Sequence, residues 1–90
     1  MPLAESTVRE QIHQIHRVRA HLVHKIADPR SGEWNVMVFA LFGHPRPKFC
    51  YAWESEGRLH TELGDGLRGK SSSVSVKRRA RELAESTHAG

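Results

Sequence analysis

Basic side chains crowd the last 24 residues, where six cations accompany only two acids, Glu82 and Glu85. Four of the six belong to the segment SVSVKRRARELAE, which is predicted to open a helix. A helix N-terminus carries partial positive charge, so cations are unfavourable there unless an anion binds to them and to the exposed N–H groups. The pattern predicts a surface that holds the phosphates of a nucleic acid, made of Arg68, Lys70, Lys77, Arg78, Arg79 and Arg81. The alternative is that the charge run only solvates an outer helix face.

The same electrostatic argument predicts two opposite effects of reversing Arg78 and Arg79 to Glu. Acids at a helix start complement its dipole by roughly 0.3–1 kcal/mol each, so the stability of the fold should hold or rise slightly. Binding of nucleic acid should collapse, because each lost cation removes a phosphate contact.

A second pattern, GDGLRGKS at residues 64–71, matches the G-x-x-x-x-G-K-S of phosphate loops. Such a loop needs a parallel sheet, a helix that starts directly at the Lys-Ser pair, and an acidic residue on a second strand for magnesium. Here serines and Val74 intervene before the expected helix, and only 19 residues follow Ser71. The match is therefore interpreted as a Gly-rich linker, and no ATPase activity is predicted.

The first quarter of the chain fits two kinds of secondary structure. A helix over 5–26 is predicted from apolar residues at helical spacing, which are Val8, Ile12, Ile15, Leu22 and Ile26. In RVRAHLVHKI, apolar and polar residues also alternate as in a half-buried strand, so a strand over 17–26 stays open as an alternative.

Three strands are predicted between residues 34 and 63. WNVMVFALF has apolar side chains on both alternating faces, which is typical of a central strand covered on both sides. FCYAWES and RLHTEL follow, joined by a tight turn; residues 64–74 form a Gly/Ser loop and residues 75–87 a last helix. The fold class is therefore α+β, a single small domain with the order α-β-β-β-α and an antiparallel three-stranded meander.

This order and two short motifs resemble the double-stranded RNA-binding domain. Gly43-His44-Pro45, followed by Phe49, looks like the Gly-Pro-His-like loop between the first strands of that family. The segment KRRAR at residues 77–81 resembles its Lys-Lys-x-Ala-Lys helix start. The resemblance would cover most of the chain and implies RNA binding through the start of the last helix.

Composition limits the other functions. The 90 residues are 38% hydrophobic and 27% charged, with a net charge of +4, as expected for a globular domain. Cys50 is the only cysteine, so no internal disulfide can form, and a reducing, cytoplasmic location is expected. No apolar run is long enough to span a membrane. No nucleophile–base or paired-carboxylate pattern is recognisable, so neither enzyme activity nor a cofactor is expected.

Histidines and aromatics invite two further interpretations. On a helix, His13, His16, His21 and His24 would spread over an arc too wide for one metal ion, so no metal site is predicted. The stripe of Phe49, Tyr51 and Trp53 could stack on bases, but such a stripe in a strand is more often part of the core.

The two-faced strand supports a second functional hypothesis. Either the first helix covers its second face, or Met37, Phe39 and Leu41 bind a partner protein or a second copy of the chain. In the latter case the chain would be a non-enzymatic protein–protein module, such as a small phage- or bacterium-encoded inhibitor or adaptor, or a homodimer. The first hypothesis remains a small basic nucleic-acid-binding domain, with duplex RNA or DNA as ligand.

Overall fold

Two helices and a four-stranded antiparallel sheet make up the fold. The structure is a computed structural model that describes residues 4–28, 30, 34–43 and 47–89, with the backbone alone at 87–89. The elements are, in chain order, α1 (Glu5–His16), β1 (Ala20–Ala27), β2 (Asn35–Leu41), β3 (Phe49–Ser55), β4 (Arg58–Gly64), a 3₁₀ turn (Leu67–Gly69) and α2 (Ser73–Ala89). The predicted α+β class and antiparallel meander are confirmed, but the meander has four strands rather than three, in the order β1-β2-β3-β4.

The first helix is shorter than predicted. It ends at His16 because Arg17 adopts a left-handed conformation, with φ of 58°, and donates its N–H to the His13 carbonyl at 2.9 Å. The prediction of a helix over 5–26 is therefore wrong in its second half. The alternative, a strand, is correct from Ala20 onward.

A bulge in β1 explains the misleading spacing. Leu22 pairs with Phe39 and His24 with Val38, so Val23 is an extra residue in the strand. A bulge shifts the alternation of side chains by one position. Leu22 and Ile26 consequently pack on opposite faces of the sheet, although their separation of four residues resembles one face of a helix.

The helices cover opposite faces of the sheet, which we call the α1 face and the α2 face. On the α1 face, Val8 and Ile12 pack with buried residues that include Phe39, Cys50 and Ala52. On the α2 face, a second cluster joins Val76, Ala80 and Ala84 to Trp34, Val36, Val38, Tyr51 and Trp53. The prediction that the central strand is covered on both sides is confirmed. Neither helix, over the described residues, is long and apolar enough to cross a membrane.

The residues proposed for a partner interface lie on the α1 face. Phe39 is 0% exposed, and Met37 and Leu41 are partly buried against the same cluster. The sequence left two alternatives for this face, cover by the first helix or by a partner. In the structure the first helix covers it. No partner is therefore needed to keep Phe39 out of water.

The aromatic stripe of β3 belongs to the core. Tyr51 is 0% exposed and Trp53 8%, and Phe49 packs partly buried against the same α2-face cluster. The Tyr51 hydroxyl donates to the Asp65 carbonyl at 3.1 Å. Cys50, on the other face, is 0% exposed, and burial raises the pKa of its thiol to about 12. The stripe is thus closed to bases, and the thiol is held in its unreactive protonated form.

Candidate functional site

The start of α2 is fixed by serine side chains. The Ser75 N–H donates to the Ser72 hydroxyl at 3.3 Å, so Ser72 caps the helix. The Ser75 hydroxyl lies 2.9 Å from the Ser72 carbonyl oxygen and 3.2 Å from that of Lys70. With these bonds the helix starts at Ser73, two residues earlier than predicted. The Ser75 hydroxyl also connects the preceding loop to the first turn of the helix.

The loop in front of α2 has none of the geometry of a phosphate loop. The amides of Gly66, Gly69 and Lys70 donate to carbonyls of the same loop, at 2.8–3.2 Å, so they are not free to surround a phosphate. The strand before it is antiparallel to its neighbour. Gly66 is required for packing instead, because a Cβ there would lie 2.6 Å from the Lys70 carbonyl oxygen and from the Ser75 hydroxyl.

Arg79 differs from the other cations of the predicted set. Its Nη2 lies 3.2 Å from a carboxylate oxygen of Glu62 on β4, and its guanidinium carbon lies 5.9 Å from the centre of the Tyr51 ring. Its Nε is buried, lies near Gly64, and has no hydrogen-bond partner among the residues that the structure describes. Arg79 therefore connects α2 to β4. Reversing it would place two carboxylates side by side, contrary to the expectation that reversal leaves the fold stable.

The other five cations of the set are exposed, and we call them the α2 basic surface: Arg68, Lys70, Lys77, Arg78 and Arg81. None of the five forms an ion pair with any residue that the structure describes. At about 100° per residue, Lys77 and Arg81 lie on one flank of α2, with Arg78 beside them and Arg79 turned toward β4. The surface is continued into the loop, which the serine bonds hold against the helix.

The flank that carries Lys77 faces β1. His24 of β1 is partly buried, and its pKa is lowered first by burial and second by the positive charge of Lys77. His24 pairs with Val38, which packs under α2, so β1 borders the α2 basic surface.

The four histidines do not share one face. His13 and His16 lie on α1, whereas His21 and His24 lie on β1, so the four do not share one helix as the predicted helix over 5–26 implied. The His16 Nε2 atom lies 2.9 Å from the Thr61 hydroxyl. Across the described part of the chain, no group of three or more His, Cys, Asp or Glu side chains is placed to hold a metal ion.

One exposed aromatic was missed by the sequence reasoning. Phe42, directly after β2, is 56% exposed, and its ring centre lies 4.7 Å from that of His21, with the planes inclined by 37°. The Phe42 N–H donates to the Arg19 carbonyl at 2.9 Å, which continues the β1–β2 ladder. The sequence carried a signal, since Phe42 immediately precedes the turn at Gly43, where a strand leaves the core.

Neither a family model nor a curated protein nor a solved structure matches the chain. The resemblance to the double-stranded RNA-binding domain rests on its motifs alone, because the observed order has four strands between the helices where that resemblance implies three. The KRRAR segment begins four residues after α2 starts at Ser73, and its Arg79 is turned toward β4. Of the loop motif, Gly43 is described, whereas His44 and Pro45 lie outside the described residues.

Proposed function

We propose that this chain binds nucleic acid, without catalysis, by holding phosphates on the α2 basic surface. One observation supports the proposal most. Five cations on one helix and its preceding loop are exposed and have no ion-pair partner among the described residues, whereas the sixth, Arg79, is paired with Glu62. Cations left unpaired at one site repel each other, and a polyanion removes that repulsion.

The arrangement suits phosphates in two further respects. Lys77 and Arg81 are one turn apart, which separates their Cβ atoms by about 5–6 Å, so both can contact neighbouring phosphate oxygens. Lys70 and Lys77 lie on either side of the first turn of α2, where the helix dipole also favours an anion. The Ser72 cap fixes the backbone at the start of the helix that carries Lys77, Arg78 and Arg81.

Counterion release sets the measurable consequence. Each phosphate contact makes log K fall with log salt concentration by about 0.7 for a single strand and 0.9 for a duplex. Four or five contacts give a slope of about −3 to −4.5. The resemblance to the double-stranded RNA-binding domain favours RNA as the natural ligand, while the phosphate contacts themselves do not depend on sequence.

A pair of double variants tests the proposal. Lys77→Glu with Arg78→Glu reverses two cations of the α2 basic surface. Lys25→Glu with Arg58→Glu reverses two exposed cations elsewhere and changes the net charge equally. Binding of fluorescent RNA and DNA oligonucleotides, single-stranded and duplex, is measured by anisotropy over a range of salt concentrations.

We expect wild type and the Lys25/Arg58 variant to bind with similar affinity. The Lys77/Arg78 variant should bind at least tenfold more weakly, and its slope of log K against log salt concentration should be shallower by about 1.4 to 1.8. Equal weakening by both variants would mean that net charge alone governs binding. No binding by the wild type to any probe would reject the proposal and favour the protein–protein hypothesis.

A further inference from the structure

The ring pair of His21 and Phe42 lies at the β1 edge of the sheet. His21 pairs with Ala40, which is two residues from Val38, a core residue of the α2-face cluster. Phe42 follows Ala40 by two residues, and its hydrogen bond to Arg19 keeps it in the ladder. Arg19 and Phe42 lie just outside β1 and β2, and together with His21 they line the β1 edge of the sheet.

This ring pair opens onto a groove of about 570 Å³ at the edge of the sheet. Phe42, His21 and Arg19 form one side of the groove, and Arg9, Glu10 and His13 of α1 form the other. Arg9 is 3.5 Å from Glu5, whereas Arg19 forms no ion pair with the described residues. The open groove therefore offers an exposed aromatic surface beside a guanidinium that has no ion-pair partner among the described residues.

The exposure of Phe42 distinguishes it from every other aromatic of the core strands. Tyr51 and Trp53 are covered by α2, while Phe42 leaves 56% of its surface in water. An aromatic ring flanked by cations is the arrangement that binds unpaired bases, since each base has a flat face to stack and a phosphate to pair. A duplex cannot use it in this way, because its bases are stacked on one another.

We propose that Phe42 and His21 stack on an unpaired base of a single-stranded nucleic acid, with Arg19 contacting the adjoining phosphate. This inference rests on the proposed function and specifies its ligand. The α2 basic surface holds the phosphate chain, and the ring pair at the β1 edge of the sheet takes a base. Because every base has a π-face, the contact tolerates any sequence.

Substitutions at Phe42 test the stacking. Phe42→Ala removes the ring, Phe42→Leu keeps apolar bulk without a π-face, and Phe42→Tyr keeps the ring. Ile15→Ala is the matched control, because Ile15 is also 56% exposed but lies on α1. The probes are a single-stranded 15-mer, a 15-mer of the same backbone with abasic sites throughout, and a duplex of equal length.

We expect Phe42→Ala and Phe42→Leu to bind the single strand roughly five- to tenfold more weakly, at the lower end of the range for one stacked base. Phe42→Tyr and Ile15→Ala should bind like wild type. The wild type should bind the abasic probe about as weakly as Phe42→Ala binds the normal one, and the salt slope should not change, since no cation is lost.

Failure of this inference is separable from failure of the proposed function. Equal binding of normal and abasic probes by the wild type, or wild-type affinity in Phe42→Leu, would overturn the stacking while leaving the phosphate contacts intact. Tighter binding of a poly-glutamate peptide than of the single strand would overturn it as well. Loss of all binding in the Lys77/Arg78 variant, with the Phe42 effects seen, would support both.

Discussion

Arg78 and Arg79 are adjacent on α2 and identical in type, yet their side chains have different surroundings. Arg78 is exposed and has no ion-pair partner in the described part of the chain, whereas Arg79 pairs with Glu62 and lies over Tyr51. Changing either to Ala removes one charge and one arginine from the same turn, so helix propensity and net charge change equally. Comparing the two alanine variants therefore distinguishes an arginine that contacts the sheet from one that contacts a ligand.

The expected loss of stability follows from the contacts of Arg79. Its ion pair is partly exposed, with 33% and 43% of the two side chains accessible, so it contributes about 0.2–1 kcal/mol. The position over Tyr51, at 5.9 Å, contributes about 0.5 kcal/mol near the outer limit of such interactions. Removing the unpartnered Nε recovers part of this free energy. Arg79→Ala should therefore lower the free energy of unfolding by about 1 kcal/mol, which lowers Tm by about 4–8 °C.

Urea unfolding followed by circular dichroism measures both variants. Arg78→Ala should lie within about 0.5 kcal/mol of wild type, as expected for an exposed site. A double-mutant cycle with Glu62→Gln should give a coupling of about 0.2–1 kcal/mol for Arg79 and none for Arg78. In binding assays on folded protein, Arg78→Ala should weaken oligonucleotide binding more than Arg79→Ala does. Equal stability of the two alanine variants, or a stronger binding defect in Arg79→Ala, would refute the assignment.

Three further predictions follow from the burial and the charges. Burial raises the pKa of Tyr51, normally 10.0, and of Cys50, normally 9.0, to about 12. Because the unfolded chain loses these protons at lower pH than the folded protein, the free energy of unfolding should fall as pH rises from about 9 to 12. An unchanged urea midpoint over that range would contradict this prediction. Lys77→Gln should raise the pKa of His24 only in part, since burial is the larger cause of its depression, and an NMR titration without any shift would show that the two side chains are apart. Lys70→Ala should leave the chain without magnesium-dependent ATP binding, as in wild type, and calorimetry that detects such binding in the wild type and its loss in the variant would restore the phosphate-loop interpretation.

The sheet could be predicted from the sequence where its pattern is regular. Residues 36–41 of β2 are apolar on both alternating faces, and the structure covers both faces, one with each helix. The strand β1 could not be identified with the same ease, because the bulge at Val23 moves Leu22 and Ile26 to opposite faces. A bulge depends on the pairing with a neighbouring strand, which the local sequence does not record.

The candidate site could also be predicted from the sequence only in part. Its cations were visible as a run of charge, and the structure leaves five of the six exposed. The separate role of Arg79 depends on Glu62, a residue of another element 17 positions away, so spacing along α2 could not distinguish it from Arg78. The exposure of Phe42 could not be predicted, because alternation along the strand places it on the same face as Val36 and Val38. The strand ends at Leu41, however, and α2 covers Val38 while Phe42 stays 56% exposed.

The most direct test of the central claim is an NMR titration of the ¹⁵N-labelled protein with a single-stranded oligonucleotide, recorded at low and high salt. The account predicts that the largest amide shifts fall on residues 68–81 and, beside them, on Arg19, His21 and Phe42, and that high salt reduces them. Amide shifts confined to the α1 face around Met37 and Leu41, or shifts insensitive to salt, would contradict it.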